Sequence, residues 1–99
     1  MEAMNIITKH AHQRMAQRNI VERDIEIVLR FAKCLRRTGA DFFVLTKNCL
    51  PAELNRQYAR LIGTVLIFDD YGVLQTAYRN RKAFAQIKRK SRLRRVYAT

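Results

Sequence analysis

His10, Arg14 and Arg18 recur every four residues within the stretch KHAHQRMAQRNI, residues 9–20. On a helix this spacing stacks side chains along one face, so a titratable imidazole would stand beside two permanent cations. Such a set can move a proton and hold a phosphate together. Further along, the run VLQTAYRN places Thr76 and Tyr78 two residues apart, on one face of a strand. Together these side chains are the parts of a metal-free RNA-cleaving site. An imidazole moves protons to and from the 2′-hydroxyl and the 5′-oxygen. Arginines stabilise the charge of a pentacoordinate phosphorane, and hydroxyls orient the phosphate.

Each of these residues also has an ordinary use. Thr76 and Tyr78 are good strand formers. On the helical wheel the apolar face runs through Ile7, Ala11 and Met15. His10 and Arg14 flank that face, Arg18 points into it and His12 turns away. An arginine in a buried face needs an anionic partner. Three environments would satisfy it: an ion pair with a structural acid such as Asp24 or Asp41, snorkelling to the rim, or a phosphate-binding cleft shared with His10 and Arg14. No carboxylate cluster suggests a metal, and no cofactor is expected. Cys34 and Cys49 lie fifteen positions apart with no CxxC pair, so they read as reduced, partly buried thiols rather than zinc ligands.

The elements that must position these residues follow from pattern. Residues 6–18 read as a helix with Thr8 as a candidate N-cap, and Asn19 ends it. A second helix, about 22–33, carries Ile25, Val28, Leu29 and Ala32 as its core stripe. A hairpin turns around Thr38–Asp41, with 42–46 as its second arm. Pro51 opens a short helix over 51–62, and Gly63 lies beyond its end. Residues 64–69 and 73–79 form the clearest hairpin, turning at Asp70, Tyr71 and Gly72. Asn80 caps a last helix, about 81–90. The expected fold is α+β: two N-terminal helices on a small, mainly antiparallel sheet of about four strands, with a basic C-terminal helix. The 99 residues suit one domain, read as 1–90, followed by a basic tail, 91–99.

Charge is the strongest bulk signal. Lys and Arg number 20 against eight Asp and Glu, a net charge of +12. That excess favours an anionic partner: nucleic acid, an acidic membrane surface or an acidic protein. From residue 79 onward there are nine basic residues and no acid. They are Arg79, Arg81, Lys82, Lys88, Arg89, Lys90, Arg92, Arg94 and Arg95, with Phe84, Ile87 and Leu93 among them. This is a basic helix that docks by a thin apolar stripe and offers phosphate contacts to a nucleic acid. No stretch reaches the roughly 18 apolar residues of a membrane span, and the N-terminus lacks a signal-peptide pattern. A cytoplasmic protein is expected.

The helix KHAHQRMAQRNIVERDIEIVL, the hairpin after it and the strand GVLQTAYRN resemble the small proteins of domain of unknown function 4258. That family is associated with the barnase–EndoU–colicin–RelE group of ribonuclease toxins. The resemblance spans about residues 7–82 and rests on the H-x3-R-M-x2-R-x-I helix and the T-A-Y-R strand. It implies two helices on an antiparallel sheet of four strands, endoribonuclease activity and restraint by an acidic antitoxin protein. By position, His10, Arg14 and Arg18 match the helix motif, and Thr76 and Tyr78 match the strand motif. Asn19 stands where a glycine is usual and Val21 where a capping Ser or Thr is usual. The helical insert at 51–62 and the long basic tail also depart from the smallest members.

Two functions from different classes follow. One is a small, metal-independent ribonuclease of toxin type, with His10 as general acid or base, Arg14 and Arg18 as phosphate clamp, and Thr76 and Tyr78 as positioning groups. Its substrate would be RNA, with ribosomal RNA one candidate. The other is a non-catalytic RNA- or DNA-binding module with the same basic pole. A protein-interaction domain that docks an acidic partner is a third option.

Overall fold

A computed structural model describes residues 6–92 of the chain. Its strands are β1 (Ile6–Ile7), β2 (Lys33–Arg37), β3 (Ala40–Val44), β4 (Thr64–Phe68) and β5 (Val73–Arg79), in the sheet order β1-β5-β4-β3-β2. Its helices are α1 (Lys9–Gln17), α2 (Glu22–Phe31), α3 (Ala52–Asn55) and α4 (Ala83–Lys88).

The α+β class and the antiparallel core of the sheet match the expectation, with one strand more. Ile6 and Ile7 pair in parallel with Val73 and Leu74 instead of opening the first helix. Two adjacent β-branched residues favour extended backbone. Thr8 then starts α1 as its N-cap, its hydroxyl accepting the Ala11 N–H at 3.0 Å. At the far end Asn19 adopts φ 59°, a left-handed conformation that Asn tolerates in place of glycine. Val21 has no side-chain cap to offer. Asp24 supplies the contact from inside α2, its Oδ2 accepting the Val21 N–H at 2.9 Å, so this departure from the usual pattern is compensated locally.

β4 lies between β3 and β5, and four of its five residues, all but Ile67, are buried. That explains its nearly unbroken apolar run, because both sheet faces are covered there. On one face α1 and α2 pack Ala11, Met15, Ile25 and Val28 against Leu45, Leu66, Phe68, Leu74 and Ala77. On the other face α4 packs Ala83 and Ile87 against Phe42, Val44 and Val65. Phe84 is half-buried there, with the Lys33 and Lys88 ammonium groups 5.0 and 5.9 Å from its ring centre. Phe84 and Ile87 are two residues of the apolar stripe expected of the basic helix; the third, Leu93, lies outside the described residues.

The β2–β3 hairpin closes on a two-residue turn, Thr38 and Gly39, with φ 50° and 81°. Both values are positive, as a turn matching strand twist requires. The expected helix over 51–62 is instead α3 followed by a separate 3-10 turn at Ala59–Leu61. Helical spacing would put Leu54, Tyr58 and Leu61 on one face, but only Leu61 is fully buried, while Leu54 and Tyr58 are half-buried, and so short a segment lacks the packing that sustains a continuous helix. The last helix also begins later than expected. Asn80 Oδ1 accepts the Lys82 N–H at 2.9 Å, a side-chain turn that holds residues 80–82 outside the helix.

Candidate functional site

Helix α1 lies along β5 and is tied to it at its first turn. The Thr8 N–H donates to the Leu74 carbonyl at 3.1 Å, and the Thr8 hydroxyl donates to the Gln75 carbonyl at 3.3 Å. Between helix and strand runs an open groove of about 420 Å³. His10, Arg14 and Arg18 line one side of it; Thr76, Ala77, Tyr78, Arg79 and Asn80 line the other. The side chains singled out from helix spacing and from strand alternation therefore share one groove.

They reach it by a route that alternation did not anticipate. Regular alternation would put Leu74, Thr76 and Tyr78 on one face. Ile67 instead pairs with Thr76 while Phe68 pairs with Leu74, so Gln75 is an extra residue, a β-bulge. Past the bulge the faces exchange. Leu74 and Ala77 both lie in the core under α1, whereas Tyr78 packs with the α4-side cluster. Ala77 and Arg79 hold the helix-facing positions, and Thr76 and Tyr78 reach the groove from the sheet edge. That edge is open among the described residues, because β1 pairs only with Val73 and Leu74. The Asn80 N–H donates to Gly63 at 2.9 Å. By the antiparallel alternation the main-chain amides of Ala77 and Arg79 then point outward along the groove.

The groove is strongly positive, with no acid among its lining residues. Arg14 Nε donates to His10 Nε2 at 3.5 Å, a long contact, and Arg14 Nη1 donates to Gln17 at 3.3 Å. Burial pushes the Tyr78 phenol above its usual range, so at neutral pH its hydroxyl remains a donor.

Arg18 is not inside the apolar face. It is exposed, because α1 ends at Gln17 and Arg18 takes non-helical dihedrals, φ −101° and ψ 4°. Extending the helical wheel to this residue therefore misplaces it. Neither acid considered for it is its partner. Asp24 Oδ1 accepts from Arg60 at 2.7 Å, and Asp41 from Arg36 at 3.1 Å. Arg36 also pairs with Asp70. Of the three environments, an ion pair with either acid is not observed; Arg18 is exposed and lines the groove.

The basic pole divides. Arg81, Lys82, Lys88, Arg89, Lys90 and Arg92 are exposed, and Arg94 and Arg95 lie outside the described residues. Arg79 is different: it lines the groove, and its Nε and Nη2 are buried without a hydrogen-bond partner. Reading it as one charge among nine missed this position, and only the bulge at Gln75 turns it toward α1. The available signal was its place in the T-A-Y-R run itself. Among the described residues, no group of three or more His, Cys, Asp or Glu is arranged to hold a metal ion, and no helix is long and apolar enough to cross a membrane.

Residues 7–82 match the model of a family described as a domain of unknown function, DUF4258. No curated protein and no solved structure matches the chain.

Proposed function

The chain belongs to the DUF4258 family, and from that premise we propose that it is a small, basic, metal-independent endoribonuclease of toxin type. The observation that supports this most is the meeting of His10, Arg14, Arg18, Thr76 and Tyr78 on one acid-free groove. His10 Nε2, freed as Arg14 turns from it to the phosphate, takes the proton of an RNA 2′-hydroxyl as that oxygen attacks the adjacent phosphorus. The P–O5′ bond breaks, leaving a 2′,3′-cyclic phosphate, and the 5′-oxygen regains a proton from His10 or solvent. Arg14 and Arg18 hold the non-bridging oxygens, whose charge grows in the transition state. Thr76 and the protonated Tyr78 orient the phosphate.

The exposed cations of residues 81–92 lie next in sequence to the groove-lining Asn80 and supply salt-dependent contacts to the rest of the RNA. The same surplus of charge suits an acidic antitoxin protein as the restraining partner in a cytoplasmic setting. The test is RNA cleavage in EDTA by wild type and His10→Ala. Loss of cleavage with binding nearly intact is the expected result. Equal cleavage by both removes His10 from the mechanism.

One observation favours a second reading, a non-catalytic RNA- or DNA-binding module. Arg81, Lys82, Lys88, Arg89, Lys90 and Arg92 are all exposed, a binding surface that needs no chemistry in the groove. Salt-sensitive RNA binding with no cleaved product in any buffer would establish it.

A further inference from the structure

We infer that Arg79 is the anion seat of the groove, the residue whose guanidinium fork receives the phosphate. This rests on the reading of the groove as a phosphate site and assigns its principal contact to a residue outside the His10–Arg14–Arg18 series.

The three arginines of the groove differ in how far they are committed. Arg14 is exposed and already shares its donors between His10 and Gln17. Arg18 is exposed at the end of α1. A desolvated donor gains more from an anion than one that must first lose its water. Arg79 meets that description. Its residue is largely withdrawn from solvent, and its Nε and Nη2 are buried and unpartnered. A buried donor without an acceptor is costly, and a charged one more so. Rotation about the last side-chain torsions turns the fork into the groove that Arg79 lines, where an oxyanion satisfies both nitrogens in bidentate fashion.

Thr64, which faces Arg79 directly across the β4–β5 pair, is fully buried and does not line the groove, so the anion's contacts there are Arg79 and the main chain. The outward main-chain amides of Ala77 and Arg79 add fixed donors along the same edge. No carboxylate competes for the fork, since the lining holds no acid. The ligand class is therefore a phosphate mono- or diester.

The experiment uses the full chain with two uncleavable probes, inorganic phosphate and a 2′-deoxydinucleotide, followed by phosphorus NMR titration. Wild type should bind both saturably. Arg79→Met should weaken both by about tenfold or more, the expected effect of losing a bidentate charge-assisted pair. Its thermal midpoint without ligand should equal or exceed that of wild type, because a buried unpaired charge is gone. Arg79→Lys keeps the charge without the fork, and its affinity should fall between the two. Binding by Arg79→Met within twofold of wild type overturns the assignment, as does a wild type that binds neither probe. A collapse in the stability of Arg79→Met with wild-type binding by Arg79→Lys also overturns it, since that pattern is structural. The seat and the chemistry fail separately: cleavage indifferent to His10 but phosphate binding dependent on Arg79 would leave the seat standing without the ribonuclease.

Discussion

Thr8 and Gln75 meet where helix α1 begins and strand β5 bulges. The Thr8 hydroxyl donates to the Gln75 carbonyl at 3.3 Å while accepting the Ala11 N–H at 3.0 Å. One side chain therefore caps the helix that carries His10 and ties it to the strand that carries Thr76, Tyr78 and Arg79. Thr8→Ala should destabilise the protein by about 0.5–2 kcal/mol, the usual cost of a lost cap. Urea denaturation measures this, and Thr8→Ser should recover most of it. Cleavage or phosphate binding, measured well below the unfolding transition, should also weaken in Thr8→Ala, because the two walls of the groove lose a shared tether. Unchanged stability would show that the cap is not holding the junction.

Asp24 belongs to Arg60, which has a consequence for Arg18. The Asp24 side chain is 6% exposed, and it accepts from Arg60 and from the Val21 N–H. Arg60→Ala should cost about 1–3 kcal/mol by stranding a buried carboxylate without its charged partner, and leave RNA binding unchanged. Arg18→Ala should do the reverse, weakening RNA binding while leaving the denaturation midpoint at its wild-type value. A double-mutant cycle should find coupling between Arg60 and Asp24 and none between Arg18 and Asp24. Coupling of Arg18 to Asp24 would return Arg18 to a structural role.

What the sequence revealed and what it hid have a common physical source. Periodicity reports which residues share a face only while the backbone stays regular. It placed His10 and Arg14 correctly, because both lie inside α1. It misplaced Arg18, one residue past the helix, and it put Thr76 and Tyr78 on the same face as Leu74, because a bulge at Gln75 reverses the alternation. The groove still collected them, since an open strand edge can be reached from both faces. Arg79 was visible as charge and as the last residue of the T-A-Y-R run, but not as a buried group. Its burial depends on pairing across to Thr64 and on that same bulge, which are long-range facts that no local pattern encodes. The parallel strand at Ile6–Ile7 was hidden for a similar reason: two residues are too few for a period, and their partner lies 67 positions away.

Gly63 and Gly72 separate two costs of losing a glycine. Both have positive φ, 92° and 76°. A Cβ at Gly72 would meet nothing within 4 Å, whereas at Gly63 it would lie 3.1 Å from the Arg81 nitrogen and the Asn80 carbonyl carbon. Those neighbours are main chain and cannot swing aside. Gly72→Ala should cost about 1 kcal/mol for the backbone conformation alone. Gly63→Ala should cost more, about 1–3 kcal/mol. It should also weaken phosphate binding, because Asn80 closes the end of the groove and its N–H donates to Gly63. Thermal denaturation and phosphate titration of the two variants measure the difference. Equal losses would mean that the junction between residues 63 and 80 yields easily.

Tyr78 carries a pH dependence whose sign is fixed by its cause. Burial raises the phenol above its ordinary value, so the folded protein keeps the proton at a pH where the unfolded chain releases it. The stability tied to Tyr78 is therefore complete below about pH 10, the unperturbed tyrosine value, and is lost as pH rises through the higher folded value. Ultraviolet titration of tyrosinate should show a late phase that Tyr78→Phe removes. Lysines titrate in the same range, so the stability slope is read as the difference between wild type and Tyr78→Phe, with the variant losing less stability on going alkaline. A late phase that persists in Tyr78→Phe would assign it to another tyrosine, and the groove's hydroxyl would then ionise like a surface phenol.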